Sequence, residues 1–325
     1  MREYNWGIIG PGSIAKRFAE GLKHAPGARL YAVGSRSIDR AEAFRSEYGF
    51  EKAYGSYGEL VNDKHVDIVY IATPHPQHAE AATLCMGGGK AVLCEKPFAV
   101  NKKQAAAMIE CAKKNNVFCM EAMWTRFFPA VKKTRELISA GAIGAVRHIS
   151  ADFGFRTAIN LESRLFDPEC AGGSLLDVGC YNVSFCSMIY GKQPDHIHSL
   201  MDIGASGADE ITNVLLGYAG GQSAFCLSAI RLSTAQEATI YGEEGYIKLP
   251  GYWHGDKVIL SGKDGVQTFE LPFESTGFQF EASEVMACLE QGLKESPLMP
   301  LHETLAIAGT LDNIRAQHGL RYPFE

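Results

Sequence analysis

The chain has 325 residues, of which 46% are hydrophobic and 21% are charged. This composition excludes disordered and fibrous proteins, and the length predicts two domains, because a domain has roughly 100 to 200 residues and a single core stops growing near the upper size. The 31 basic and 37 acidic side chains give a formal net charge of -6. A negative chain offers no basic surface to nucleic acid or to an anionic membrane, so neither partner is expected.

Nothing in the sequence predicts export or membrane insertion. The segment from Met1 to Gly12 lacks the basic and apolar regions of a secretory signal, and no apolar run approaches the roughly 18 residues of a membrane span. The nine cysteines are scattered and include no C-x-x-C pair. These features predict a cytoplasmic protein with reduced, mostly buried thiols and no metal site.

The first 120 residues alternate short apolar runs with amphipathic segments of helix length, which is the pattern of successive βαβ units. The predicted strands are Asn5 to Ile9, Arg29 to Val33, Asp67 to Ala72, Ala91 to Cys94 and Val117 to Met120. The predicted helices are Ser13 to His24, Ile38 to Tyr48, Gln77 to Met86 and Lys102 to Asn115. This α/β pattern predicts an N-terminal Rossmann domain, a doubly wound parallel sheet, over residues 1–123.

After residue 123 the pattern changes to strand-like alternation with few helices. The predicted helices are Pro129 to Ser139, Phe280 to Leu293 and His302 to His318. The predicted strands are Val146 to Phe155, Ile211 to Tyr218, Gln222 to Ile230, Ala238 to Tyr241, Tyr246 to Leu249, Lys257 to Leu260 and Val266 to Leu271. Turns at Gly220-Gly221, Glu244-Gly245 and Asp264-Gly265 are typical of antiparallel hairpins. Residues 124–325 are predicted to form an α+β domain with an open, mostly antiparallel sheet, and the return of the last helix to the first domain stays open.

A glycine motif follows the first predicted strand. Gly10, Gly12 and Ala15 fit G-x-G-x-x-A, and Ser13 and Ile14 open the next helix. In a dinucleotide site the first glycine makes the tight turn, and the second lets the pyrophosphate approach the backbone at the helix N-terminus. The alternative is a glycine-rich turn that binds nothing, but its placement in a βαβ unit favours cofactor binding.

The second predicted strand ends at Ser35-Arg36-Ser37, where an NAD enzyme usually has an acidic residue against the ribose. A guanidinium beside two hydroxyls is a phosphate-binding group, so Ser35 and Arg36 predict NADP in preference to NAD. Two alternatives stay open. Arg36 is an ordinary exposed loop arginine, or the nearby Asp39 serves a ribose.

Two loops follow later strands at the carboxyl edge of the sheet, where doubly wound folds bind ligands. The first runs from Thr73 through Pro74 and His75 to His78, and its two prolines stiffen it against a nicotinamide ribose. His75 is the better ligand contact, because a histidine in a first helical turn, such as His78, is as often structural.

The second loop contains Glu95, Lys96 and Pro97. A lysine fixed by a proline at a cofactor cleft orients a substrate hydroxyl and lowers its pKa. Glu95 is placed to pair with Lys96. The alternative for Lys96 is a surface lysine near a turn.

A glycine-rich segment in the second half, Gly172 to Asn182, carries Asp177 and Tyr181 four positions apart. This spacing puts both side chains on one helix face if the segment is helical. A tyrosine ionises more easily beside a cation, and Lys96 supplies one if the domains fold together. The alternatives are a half-buried aromatic for Tyr181 and a helix cap for Asp177.

The order of these motifs resembles the Gfo/Idh/MocA family of oxidoreductases along essentially the whole chain. G-x-G-x-x-A stands at Gly10, E-K-P at Glu95, and G-G-x-x-x-D-x-G-x-Y runs from Gly172 to Tyr181. The resemblance implies that the Rossmann domain binds a nicotinamide cofactor. It also implies that the open sheet of the second domain contributes to substrate binding and forms a homodimer or a larger homo-oligomer.

Within this family, Pro74 to His78 and Glu121 to Phe127 look like the branch of dimeric dihydrodiol dehydrogenase and NADP-dependent D-xylose 1-dehydrogenase. The branch implies that Lys96 and Tyr181 are the catalytic pair. Inositol dehydrogenases have histidine in place of Tyr181, which makes that activity less expected. Side chains expected at the cofactor also include His78, Glu95, Lys96, Trp124 and Arg126. Those expected around the substrate are Lys96, Trp124, Phe155, Arg156, Asp177 and Tyr181.

The expected activity is NADP-dependent hydride transfer between nicotinamide C4 and a secondary alcohol or lactol carbon of a sugar, polyol or trans-dihydrodiol. The expected partner is therefore a small carbohydrate or diol. Two alternatives stay open, namely a non-catalytic NADP-binding regulator or redox sensor, and a glycosidase of the same fold that uses bound NAD. Lys96 and Tyr181 favour the dehydrogenase, because a sensor needs no proton relay.

Overall fold

A computed structural model describes residues 2–325 as two compact units. The first unit comprises the chain up to Trp124 together with Glu274–Leu305, and the second comprises Thr125–Phe273 together with Ala306–Glu325. The predicted second domain, 124–325, includes Glu274–Leu305. The structure groups that segment with the first unit, because Phe278 packs edge-on against Phe18 with ring centroids 6.0 Å apart.

The first unit is an α/β sandwich around one parallel sheet. Its strands are β1 (Tyr4–Ile9), β2 (Ala28–Gly34), β3 (Lys52–Tyr54), β4 (Ile68–Ile71), β5 (Ala91–Glu95) and β6 (Cys119–Ala122). Its helices are α1 (Ser13–Leu22), α2 (Ile38–Tyr48), α3 (Tyr57–Asn62), α4 (His78–Gly87), α5 (Lys102–Asn115) and α8 (Phe278–Glu290). The strand order β3-β2-β1-β4-β5-β6 confirms the predicted doubly wound Rossmann sheet.

The centre of this sheet is apolar on both faces, as expected for a parallel sheet covered by helices. All four residues of β4 and all five of β5 are buried. The strand order reverses at β1, which pairs with β2 on one side and with β4 on the other. In doubly wound folds this switch point is where ligands bind, so the loops after β1 and β4 define the region of interest.

The second unit is built on one open sheet. Its strands are β7 (Val146–Gly154), β8 (His196–Ile203), β9 (Asp209–Gly217), β10 (Ser223–Ala229), β11 (Glu237–Gly242), β12 (Tyr246–Pro250), β13 (Lys257–Gly262) and β14 (Gly265–Glu270). Its helices are α6 (Pro129–Ser139), α7 (Cys180–Tyr190) and the part of α9 (Leu301–Gln317) from Ala306 on. Of the helices that the structure describes, none has the length and apolar character needed to cross a membrane.

The strand order of this sheet is β14-β13-β12-β11-β7-β10-β9-β8. β7 and β10 pair in parallel and their neighbours pair antiparallel, which confirms the predicted open, mostly antiparallel sheet. The three predicted hairpin turns join antiparallel partners. One face is buried, as at Ala224 and Cys226, whereas the other face exposes Leu200, Leu215 and Phe225.

Candidate active site

The turn after β1 depends on a glycine. Gly10 has φ of +85°, and a Cβ added there would lie 2.9 Å from the backbone carbonyl oxygen of Ala72 and the backbone nitrogen of Thr73. Only glycine therefore lets the loops after β1 and β4 lie this close together. α1 begins after Gly12, and within residues 2–325 no side chain caps it and no acidic residue stands in its first turn. Its positive end suits a pyrophosphate.

Two arginines follow β2, one in the loop and one in the first turn of α2. Arg36 and Arg40 are exposed and near Tyr57, whose pKa is raised by burial and lowered by the charges of both arginines. Ser35 is buried, and its hydroxyl accepts a hydrogen bond from the backbone nitrogen of Ser37 at 3.3 Å. Two guanidinium groups beside a half-buried ring fit an adenosine that carries a 2′-phosphate.

Arg40 and Tyr57 were not among the predicted cofactor contacts. The i, i+4 spacing of Arg36 and Arg40 from the loop into α2 was the available signal. Asp39, the alternative ribose contact, is exposed in the first turn of α2.

His78 joins the loops after β4 and β5. Its ring is fully buried, with Nδ1 2.9 Å from the Pro97 carbonyl oxygen and Nε2 2.8 Å from the Thr73 carbonyl oxygen. Both ring nitrogens thus contact backbone carbonyls, which gives His78 a structural role, and its predicted contact with a cofactor stays a prediction. His75 is 8% exposed, and the Oγ1 atom of Thr73 is buried without a hydrogen-bond partner in the described chain.

Buried carboxylates hold the turn that carries Lys96. Glu95 accepts hydrogen bonds from the Tyr70 hydroxyl and, at 3.1 Å, from the backbone nitrogen of Lys96. Two residues further on, the backbone nitrogen of Phe98 donates to Glu121 Oε1 at 3.1 Å. The two carboxylates therefore fix the backbone on both sides of Lys96, whose side chain is half-buried.

Glu281, on α8, is a buried carboxyl that sequence analysis missed. It is 0% exposed, and neither of its oxygens has a hydrogen-bond partner among residues 2–325. Burial raises the pKa of Glu281 far above its usual range, and the charge of Glu95 raises it further. The neutral acid is therefore the form that the folded protein favours.

Glu281→Gln is expected to change the pH dependence of stability. Since the folded-state pKa is raised, wild-type protein has no ionisation penalty below pH 4.5, the unfolded value. It loses about 1.4 kcal/mol per pH unit as the pH rises from there towards the folded pKa. The free energy of unfolding of Glu281→Gln, measured by urea denaturation, should therefore increase relative to that of wild type as the pH rises from 5 to 8.

Glu290→Gln, exposed on the same helix, is the control. A difference that does not vary with pH contradicts the neutral acid.

In the second unit, a single π-helical turn, Leu175–Gly179, leads into α7. Asp177 lies in this turn and Tyr181 lies in the first turn of α7. π-turns inside helices are frequent at functional sites. Asp177 is 5% exposed and accepts a hydrogen bond from Arg164 Nη1 at 3.0 Å. The Tyr181 ring meets the Phe153 ring edge-on at 5.3 Å, and Phe153 stacks on Trp253 at 4.6 Å. Arg164, Phe153 and Trp253 stand in no motif and were not among the predicted site residues.

The other predicted contacts are described within their own units. Trp124, in the first unit, is 3% exposed and stacks on the first aromatic ring of α8 at 4.2 Å. Arg126, in the second unit, is buried and donates to Ser184 Oγ at 3.1 Å and to its carbonyl oxygen at 3.0 Å. Arg126 thus anchors α7, and its predicted contact with a cofactor stays a prediction. Phe155 is half-buried and Arg156 is exposed, both just after β7.

Comparison with known proteins identifies the same two parts. Residues 4–123 match the model described as oxidoreductase family, NAD-binding Rossmann fold, and residues 131–248 match the Gfo/Idh/MocA C-terminal domain. The chain is 39% identical to trans-1,2-dihydrobenzene-1,2-diol dehydrogenase of Mus musculus, with 98% of each chain covered. It is 38% identical to that of Xenopus laevis, with 98% of this chain and 99% of the relative covered.

A solved structure shares the fold. The aldose-aldose oxidoreductase from Caulobacter crescentus, complexed with glycerol, superposes with a TM-score of 0.90 at 23% identity, and 98% of both chains is covered. The two family models and the full-length relatives confirm the resemblance drawn from the motifs. The chain therefore belongs to the Gfo/Idh/MocA family of NAD(P)-dependent oxidoreductases, in the dihydrodiol dehydrogenase branch.

Proposed function

We propose that the protein is an NADP-dependent dehydrogenase that acts on a secondary alcohol or lactol of a sugar, polyol or trans-dihydrodiol. The observation that carries the proposal is the placement of Lys96 directly after β5, on a turn fixed by Glu95. β5 is next to β4, whose following loop lies against the Gly10 turn. The name of the relatives, trans-1,2-dihydrobenzene-1,2-diol dehydrogenase, supports a vicinal diol as one substrate class.

The residues of the cofactor site fit NADP. The uncapped start of α1 suits the pyrophosphate, and Arg36 and Arg40 supply two charges for a 2′-phosphate. NAD remains a second cofactor, since Asp39 is exposed in the same region. When bound, the nicotinamide supplies the hydride acceptor or donor at C4.

The side chains of this protein supply the acid–base chemistry. During alcohol oxidation Tyr181 takes the hydroxyl proton, and the Lys96 ammonium stabilises the developing alkoxide. General acid–base help of this kind is worth about 10² to 10⁴ in rate. In the reverse direction Tyr181 returns the proton to the carbonyl oxygen. Residues proposed around the substrate are Trp124, Phe155, Arg156 and Asp177.

A substrate panel tests the activity. Purified protein is mixed with NADP and with aldoses, polyols or trans-dihydrodiols, and the absorbance of reduced nicotinamide is followed. We expect catalytic reduction of NADP with at least one substrate. NADP binding without turnover on any class supports the regulator or sensor, and glycoside cleavage without net cofactor reduction supports the glycosidase.

We also propose that the open face of the sheet forms a homodimer or a larger homo-oligomer. Leu215 pairs with Phe225 across β9 and β10, and they are 48% and 38% exposed. Leu200, on the edge strand, is 75% exposed. An apolar sheet face of this kind is a self-association surface in many symmetric oligomers. We propose a cytoplasmic location, because the sequence predicts neither export nor membrane insertion.

Charge on this face is expected to break the oligomer. The double variant Leu215→Glu with Phe225→Glu should sediment as a monomer at micromolar concentration, where wild type sediments as a dimer or larger species. Leu84→Glu, equally exposed on α4, is the control and should sediment as wild type does. A monomeric wild type contradicts the proposal.

A further inference from the structure

The Asp209 carboxylate lies at the start of β9 and is 0% exposed. Its Oδ2 accepts three hydrogen bonds, from Ser174 Oγ at 2.7 Å, the backbone nitrogen of Leu175 at 2.7 Å and Thr212 Oγ1 at 2.9 Å. Two of these donors belong to the segment that opens the π-helical turn. One buried carboxylate therefore holds the start of the segment that presents Asp177 and Tyr181.

The chain makes room for this carboxylate at Gly173. This residue has φ of +122°, and a Cβ added there would lie 2.0 Å from Asp209 Oδ1. No residue with a side chain fits at that distance, so Gly173 permits the close approach. Oδ1 itself has no hydrogen-bond partner within the part of the chain that the structure describes. Gly173 thus has a packing reason that the cofactor does not explain.

The far side of the turn is held as well. A Cβ on Gly179 would lie 2.9 Å from Ser228 Oγ on β10, and the same Ser228 oxygen lies 3.3 Å from Ser174 Oγ at the start of the turn. Asn182 Nδ2 donates to the Leu227 carbonyl oxygen at 2.9 Å. The π-helical turn is therefore fixed at its end by β10, and Asp209 fixes its beginning.

The carboxylate also carries a charge at neutral pH. Burial raises the pKa of Asp209 to about 6, and the hydrogen bonds from Ser174, Thr212 and Leu175 limit the rise. An anion at the start of a helical segment faces the positive end of the helix dipole, which offsets part of its desolvation cost. A neutral amide of the same shape loses this electrostatic anchor.

We propose that Asp209 is a positioning residue that fixes the turn bearing Asp177 and Tyr181 in its reactive geometry. The proposal rests on the proposed function of Tyr181 as the proton acceptor. Asp209 accepts hydrogen bonds from Ser174 and Leu175, and it acts on the turn through these two residues. Small misplacements of a catalytic group cost large factors in rate, so the effect of losing Asp209 appears in turnover.

Asp209→Asn is expected to lower kcat about 10- to 100-fold. The dissociation constant of NADP should change less than about threefold, because the predicted cofactor contacts at Gly10 and Arg36 lie in the other unit. In a Tyr181→Phe background the same substitution should have almost no further effect on kcat, because a positioning residue acts through the group that it positions. Asp195→Asn is the matched control. It removes an exposed aspartate that accepts a hydrogen bond from the backbone nitrogen of Ala219, and it should leave kcat unchanged.

Equal loss of kcat from Asp209→Asn in both backgrounds overturns the proposal, and so does wild-type kcat in the single variant. Hydrogen exchange of the peptide spanning residues 174–184 adds a readout that needs no turnover. Faster exchange there in Asp209→Asn, with Asp195→Asn unchanged, supports the positioning role even if the wild type reduces no NADP and the proposed function fails. Unchanged exchange contradicts it. If Asp209→Asn does not fold, Ser174→Ala, which removes one donor, is measured in the same way with a smaller expected loss.

Discussion

Tyr181→Phe is expected to lower kcat/KM by about 10² to 10⁴, because the variant keeps the ring and loses the hydroxyl that we propose as the acceptor of the substrate proton. The ring packs edge-on against Phe153, a contact that phenylalanine preserves. NADP affinity, measured by fluorescence titration, should stay close to wild type. The limb of the pH–rate profile that belongs to the proton acceptor should vanish.

Lys96→Met should lower kcat/KM by a similar factor. Combined with Tyr181→Phe it should lose much less than the product of the two single losses, since residues that act as a unit are not additive. Lys102→Met, exposed at the start of α5, is the control. Nearly wild-type turnover in Tyr181→Phe refutes the assignment and directs attention to His75, because histidine is the most common general acid–base side chain in enzymes.

Arg36→Ala is expected to weaken NADP binding by about 1.5 to 3 kcal/mol, which is a factor of about 10 to 150, by loss of a charge-assisted contact with the 2′-phosphate. NAD binding should change little, because NAD lacks that phosphate. Arg40→Ala should show the same selectivity. The charges of both arginines lower the pKa of Tyr57, so both lie near the ring proposed to face the adenosine. Isothermal titration with each cofactor measures the difference.

Arg45→Ala provides the control for loss of a positive charge alone. Arg45 lies on α2, as Arg40 does, and its Nε pairs with Glu42 Oε2 at 2.6 Å. It should affect neither cofactor. An equal loss of NADP and NAD in Arg36→Ala, or a wild-type preference for NAD, contradicts the assignment. The second result favours Asp39 as the ribose contact, and Asp39→Asn then weakens NAD.

The sequence predicted those elements whose pattern is local. α2, α5 and α6 occur at their predicted bounds, because their apolar residues recur at helical spacing. The glycine turns between β9 and β10 and between β13 and β14 predicted both hairpins. The parallel order of the first sheet followed from the alternation of strands and helices.

Elements without a local pattern were missed. β3 has three residues and α3 has six, too short for periodicity to register. β8 is an edge strand with several exposed residues, and its pairing with β9 decides its conformation. α7 is buried at every position from Cys180 to Ser187, so it has no polar face and no amphipathic signal.

The residues of the candidate site also divide into those that a motif predicted and those that no motif predicted. Gly10, Lys96 and Tyr181 stand in motifs whose order along the chain predicted the family, and the comparisons confirmed it. Glu281 and Asp209 stand in no motif. An isolated acidic residue in a helix or strand predicts an exposed side chain, because acidic residues are rarely buried. Glu281 and Asp209 are buried because segments distant in the sequence pack around them.

Transfer of deuterium from substrate to cofactor tests the central claim most directly. D-Xylose deuterated at C1 and a trans-dihydrodiol deuterated at its carbinol carbons are each incubated with NADP and wild-type protein, and the reduced cofactor is analysed by mass spectrometry. Hydride transfer predicts one deuterium in each reduced nicotinamide, formed in step with the oxidised product and nearly abolished in Tyr181→Phe. Bound NADP that acquires no deuterium from either substrate or from a polyol deuterated at its carbinol carbons contradicts the account. Substrate conversion without labelled cofactor contradicts it as well.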